Sequence, residues 1–226
     1  MVRALFNLFY PKSCKACDGP LVYGEDLICT DCRHYLPVTH LHYGTQIPIQ
    51  KLLYGRVDIS LGTSLFYFDK KSRVQQLIHN LKYRGHEKIS GFLGKWLGSE
   101  LSNIDDYKKI DCVVPVPLHK SRKRERGYNQ VAGFGKEIAI ALNVPYIDDI
   151  LYRAKSTKTQ VFLSRKLRSV DVIDSFDIKK GKQLNGKHIL LVDDLITTGG
   201  TIEGCALALQ KIPGCKISVA VMAIAH

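Results

Sequence analysis

The stretch Ile189-Leu190-Leu191-Val192-Asp193-Asp194-Leu195-Ile196-Thr197-Thr198-Gly199-Gly200-Thr201 decides the fold class. Its apolar lead-in reads as a buried strand, His188 to Val192, that delivers Asp193 and Asp194 at its carboxyl end, where open α/β sheets bind ligands. The chain then turns through threonines and glycines into a helix predicted over Thr201 to Ile212. In such a turn, backbone N–H groups, threonine hydroxyls and the helix dipole converge on one anion, so a phosphate fits. The plainer alternative is a strand-capping acid pair beside a glycine turn that is merely tight. A Walker loop is excluded because no Gly-Lys-Ser/Thr ending follows, and a dinucleotide fingerprint because the acids precede the glycines.

Working outward, Lys216 to Ala225 reads as a closing strand and Ile110 to Pro117 as a buried one, expected to run parallel to the acidic strand. Ser64 to Phe68 is β-prone, and Val74, Leu77, Ile78 and Leu81 then recur at helical spacing. Phe92, Leu93, Trp96, Leu97 and Leu101 form a second amphipathic helix, and Val131 to Leu142 a third. Strands alternating with helices predict an α/β fold with a mainly parallel sheet.

Between Pro117 and Gly127 the chain becomes strongly basic, with five Lys/Arg in the eight residues from His119 to Arg126. A diphosphate leaving group needs such charge nearby. A solvated charge run or a nucleic-acid patch would have the same composition. The segment is expected as a loop that brings Arg122, Lys123 and Arg126 towards the acidic pair. A second polar stretch, Arg153 to Arg168, is too charged for a core and is expected as a mobile loop or an exposed helix.

Cys14-x-x-Cys17 and Cys29-x-x-Cys32, eleven residues apart, have the spacing of paired zinc knuckles, four thiolates satisfying tetrahedral Zn²⁺ with no open position. The metal is therefore structural, and so short a segment has too little core to fold without it. A redox dithiol or an iron–sulfur cluster suits this spacing less well. His34, His40 and His42 are available as ligands, but four cysteines need none of them, and Cys112, Cys205 and Cys215 sit in apolar surroundings as packing residues. Cysteines in metal-ligand pairs indicate a reducing, cytoplasmic setting.

Several strings together resemble the ComF/GntX family: Pro115-Val116-Pro117-Leu118, then Arg122, Arg126 and Gly127-Tyr128-Asn129-Gln130. Leu81-Lys82-Tyr83-Arg84-Gly85 precedes them, and Arg153, Thr157, Gln160, Leu163, Arg168 and Phe176 follow. The acidic strand and its turn likewise resemble the phosphoribosyl diphosphate signature of type I phosphoribosyltransferases. The resemblance implies a Rossmann-like phosphoribosyltransferase domain behind a small zinc-ribbon-like module. It assigns Asp193 and Asp194 to the ribose hydroxyls close to Mg²⁺, and Thr197, Thr198, Gly199, Gly200 and Thr201 to the 5′-phosphate of 5-phosphoribosyl 1-diphosphate. Diphosphate would leave towards Arg122, Lys123 and Arg126. Lys155 to Arg168, with Gln160 and Arg168, would form a lid that excludes water. The sequence departs from the family pattern at Leu167 and Asp171. Enzymes of this fold that use 6-oxopurines carry an Asp where this chain has Thr197, which argues against such an acceptor.

The chain's 226 residues accommodate a module over 1–50 and a domain over 51–226. Composition is that of a folded protein, 45% hydrophobic and 24% charged. A net charge of +12 favours polyphosphates, nucleic acid or anionic surfaces. The resemblance also ties the family to DNA uptake, so a competing reading is a non-catalytic accessory protein that binds single-stranded DNA beside DNA-uptake proteins. Leu5, Leu8 and Phe9 are expected on a short helix rather than in a signal peptide. No apolar run approaches the roughly 18–20 residues of a membrane span.

Overall fold

The computed structural model describes residues 12–44, 48–83, 85–153, 176–179 and 182–225. The Leu5, Leu8 and Phe9 helix and the Lys155 to Arg168 segment lie outside the described residues. At the centre is a four-stranded sheet in the order β1 (Gly62–Phe68), β6 (Lys216–Ala225), β5 (His188–Ile196), β2 (Cys112–Pro115), with every pairing parallel. Strands buried on both faces become continuous apolar runs, and Ile189, Leu190, Leu191 and Val192 are each fully buried.

One face of the sheet packs against α3 (Arg73–Tyr83), α4 (Lys88–Leu101) and α6 (Ala132–Leu142). The other packs against α2 (Pro48–Leu53) and α7 (Gly200–Leu209). Ser72 starts α3 by accepting the Gln75 N–H at 3.2 Å, which satisfies an amide that the first turn leaves without a carbonyl. Helices α4 and α6 come close because Gly94 has no side chain; a Cβ there would stand 2.5 Å from the Phe134 carbonyl oxygen. Residues 37–39 cover the outer edge of β1, with Tyr67 N–H donating to the Pro37 carbonyl at 2.9 Å and Thr39 N–H to that of Leu65 at 3.0 Å. On the far edge, Val113 of β2 bridges Tyr146 in parallel. A separate antiparallel pair, β3 (Leu151–Arg153) and β4 (Phe176–Ile178), stands beside α7.

The cysteine segment, which includes the short α1 (Thr30–Tyr35), is not a detached appendage. Cys14, Ala16, Ile28, Cys32 and Leu36 are buried in the same core as Leu65, Phe66 and Leu77. The Asn80 amide of α3 donates to the Lys15 carbonyl at 2.8 Å, joining the two parts.

Three boundaries differ from the sequence reading. β5 does not stop at Val192 but runs to Ile196, because β6 pairs it as far as Ile224. The basic segment is a helix, α5 (Lys120–Arg126), rather than a loop. It contains good helix formers and no glycine or proline until Gly127. Helix α7 starts at Gly200 and ends at Leu209, short of Ile212.

Candidate functional site

The cleft exists because β2 and β5 part company. Their pairing ends at Pro115 opposite Val192, and the Val116 N–H makes a last bond to the Val192 carbonyl at 2.9 Å. Beyond that point one edge of β5 is released, and Asp193 and Asp194 occupy the released length. As successive strand residues they face opposite sides of the sheet. Asp194 is held on the α3/α6 side: Lys82 Nζ lies 2.8 Å from Oδ1, and Gln130 Nε2 donates to Oδ2 at 2.7 Å. Asp193 accepts the Asp194 N–H at 2.8 Å. Burial, and then the Asp194 charge, push its carboxyl up to about 8.

After Ile196 the chain turns at Gly199, whose φ of 79° lies in the left-handed region. A Cβ at Gly199 would also come within 2.8 Å of Leu53 Cδ2. Among the described residues no side chain caps α7, so its opening amides, which lack carbonyl partners within the helix, are available to an anion. The turn is held from behind by Arg56, which donates through Nη1 to the Thr198 carbonyl at 2.9 Å and through Nε to Glu203 Oε2 at 2.9 Å. Arg56 Nη2 reaches the same carboxylate oxygen. Neither Arg56 nor Leu53 carries a motif, so the sequence offered no signal for either.

Arg56→Ala would leave the nearly buried Glu203 carboxylate without its cation and free the Thr198 carbonyl. Removing one partner of this largely buried pair should cost about 3 kcal/mol, the lower end for such pairs because Arg56 is partly exposed. Thermal denaturation should show a loss of about 6–12 °C for a chain of this size. A midpoint within a degree or so of wild type would mean that the brace is not holding the turn.

A cleft of about 360 Å³ gathers Lys82, Arg122, Arg126, Arg153, Asp193 and Asp194, with Thr197 and Thr201 on its wall. A recess of about 40 Å³ continues beneath the turn, lined by Thr198, Gly199 and Gly200. Arg126 stacks over the Tyr83 ring at 5.1 Å. Burial, and then the Arg122 charge, lower the Arg153 guanidinium from its ordinary range, and among the described residues its Nε has no hydrogen-bond partner. The structure thus lines one cleft with the acidic pair, the turn, Arg122 and Arg126, and adds Lys82, Gln130 and Arg153. The Lys123 side chain, Gln160 and Arg168 lie outside the described residues. Four cations facing three acids, Glu125 with Asp193 and Asp194, leave the cleft a small excess of positive charge, suited to a polyanion.

Apart from the cleft, the Sγ atoms of Cys14, Cys17, Cys29 and Cys32 all lie within 4.8 Å of one another. Backbone N–H groups of Ala16 and Cys29 donate to Cys14 Sγ at 3.4 and 3.3 Å, and that of Cys32 to Cys29 Sγ at 3.4 Å. Amides aimed at sulfur stabilise thiolates, so the donor set suits a tetrahedral thiophilic ion. Cys112 and Cys205 are buried, and Cys215 is half-buried with Sγ 3.1 Å from the Leu209 carbonyl.

Residues 132–225 match the family described as phosphoribosyl transferase domain, a span that runs from α6 to β6 and includes the acidic pair and the turn. DNA utilization protein YhgH of Escherichia coli (strain K12) is 27% identical, over 94% of this chain and 96% of that protein. Competence protein F of Haemophilus influenzae (strain ATCC 51907 / DSM 11121 / KW20 / Rd) is 34% identical, over 60% of this chain and 61% of that protein. Among solved structures, the adenine phosphoribosyl transferase of Trypanosoma brucei in complex with AMP, pyrophosphate and ribose-5-phosphate aligns with a TM-score of 0.40. Its identity is 11%, over 71% of this chain and 82% of that chain.

Proposed function

Because the chain belongs to the ComF family and carries a phosphoribosyltransferase-like domain, we propose that its cleft binds 5-phosphoribosyl 1-diphosphate with Mg²⁺. We propose further that it transfers the phosphoribosyl group to an acceptor. The observation that supports this reading is the convergence of the acidic pair, the glycine turn and a set of cations on one cleft. The turn from Thr197 to Thr201 takes the 5′-phosphate on its amides and hydroxyls, and the carboxylates of Asp193 and Asp194 accept from the ribose hydroxyls. Lys82 already neutralises Asp194, whereas the Asp193 carboxyl is pushed up by burial, so a cation beside Asp193 would favour its charged form. Mg²⁺ held there would supply charge neutralisation for the diphosphate.

In the transfer, the bond between the anomeric carbon and the diphosphate oxygen breaks and the electron pair leaves with diphosphate. A lone pair of the acceptor forms the new bond at that carbon. Arg122 and Arg126 meet the departing charge, which lowers the barrier where charge develops. The protein need not supply a proton for that step. The cysteine cluster holds Zn²⁺ in this reading and keeps the module folded against α3.

Affinity should depend on pH with a definite sign. Asp193, with its carboxyl pushed up to about 8, holds a proton at neutrality, so binding that uses the carboxylate must release it. Affinity should therefore rise with pH by up to about tenfold per unit and level off above about pH 8. A flat profile from about pH 6 to about pH 9 would place the carboxylate outside the binding step.

Calorimetry with 5-phosphoribosyl 1-diphosphate, with and without Mg²⁺, tests the proposal, and magnesium-dependent binding is expected. The net charge of +12 and relatives named for DNA utilization and competence favour a second reading, an accessory protein on single-stranded DNA. Failure of the sugar diphosphate to bind, alongside salt-sensitive binding of single-stranded DNA, would favour that reading.

A further inference from the structure

His40, His42 and Glu100 form a cluster that neither the cleft nor the four cysteines use. One ligand atom from each lies within 4.8 Å of the other two. The His42 side chain is fully buried, and its Nδ1 stands 3.0 Å from the Thr63 hydroxyl of β1. Its Nε2 pairs with Glu100 Oε2 at 3.0 Å, without the angles of a good hydrogen bond. The other Glu100 oxygen accepts the Trp96 indole N–H at 2.9 Å.

We propose that His40, His42 and Glu100 bind a divalent transition-metal ion, with Zn²⁺ the best match to the donors, at a site separate from the four cysteines. Two imidazoles and one carboxylate are a borderline N/O set of the kind zinc accepts. A ligating histidine normally has its second nitrogen held by an outer partner, and Thr63 holds that of His42. Bonds of about 2.0–2.2 Å place ligand atoms roughly 3.3–3.6 Å apart, so His42 and Glu100 are already close enough and His40 must draw in by about 1 Å. His40 supplies that movement, because its side chain is exposed while those of His42 and Glu100 are anchored. Arg33 lies over the Trp96 ring at 3.6 Å and adds positive charge beside Glu100, so the carboxylate serves two cations.

The site stands away from the cleft. Ser90, which donates to the Gln130 carbonyl at 2.5 Å, is about 15 Å from Glu100 along α4 by the rise of an α-helix. A bound ion would instead tie the segment carrying His40 and His42 to β1 and α4, fixing the path by which the cysteine module enters the domain. Three protein ligands leave a fourth position, open to water beside His40.

Cobalt(II) titration of the metal-free full chain tests the proposal, followed by absorption spectroscopy and elemental analysis. Two equivalents are expected, of which only one shows thiolate-to-metal charge transfer. His40→Ala changes an exposed side chain, and Glu100→Gln retains the Trp96 acceptor. Each should lose the second equivalent and its weak d–d absorption while the thiolate band remains. Saturation of the wild type at one equivalent, or a second equivalent that persists in both variants, would overturn the assignment.

Discussion

Asp193→Asn/Asp194→Asn should abolish magnesium-dependent binding of 5-phosphoribosyl 1-diphosphate while leaving the chain folded. Hydrogen bonds from hydroxyls to carboxylates are each worth about 1.5–3 kcal/mol. Losing both should therefore weaken binding by a factor on the order of 10² to 10⁴. Folding should survive because the substitutions are nearly isosteric and replace two buried ionisable groups by neutral amides, offsetting the loss of the Lys82 pair at 2.8 Å. Calorimetry gives the affinity and thermal denaturation the control. Wild-type affinity in a folded double variant would remove the acidic pair from the site.

The second large effect is expected at the cysteines. Binding of structural Zn²⁺ to four thiolates is worth about 10–16 kcal/mol in small modules, and in a segment with so little core it is folding free energy. Cys14 and Cys32 share one core with Leu65, Phe66 and Leu77, so losing the ion would open apolar surface on α3 and β1 as well. Cys14→Ser, or exhaustive chelation, should therefore unfold the module and destabilise the whole chain, as a lower or absent cooperative transition in calorimetry. Restoring zinc to the chelated protein should restore the transition. A sample shown by elemental analysis to be metal-free, yet melting as before, would make the cluster structurally idle.

The sheet was legible because parallel strands buried on both faces carry a signal that needs no long-range information, as the run from Ile189 to Val192 shows. The turn from Thr197 to Thr201 was legible for a similar reason, since two glycines shortly after the strand mark a tight entry into a helix. Where β5 ends was not legible, because Leu195 and Ile196 join the sheet only through Ala223 and Ile224 of β6. The helical state of Lys120 to Arg126 was hidden by charge, which describes solvent exposure better than backbone conformation. Lys82 was noticed within a family string, but its partner Asp194 belongs to another layer of the fold. Arg56 was not noticed at all, and its role depends wholly on Thr198 and Glu203 being brought to it.

The most direct test of the central claim is an experimental structure of the chain with 5-phosphoribosyl 1-diphosphate and Mg²⁺. The 5′-phosphate should rest on the amides at the start of α7 within the turn from Thr197 to Thr201, with the ribose hydroxyls against Asp193 and Asp194 and the diphosphate against Arg122 and Arg126. A ligand bound elsewhere, with those amides turned away from any anion, would contradict the account.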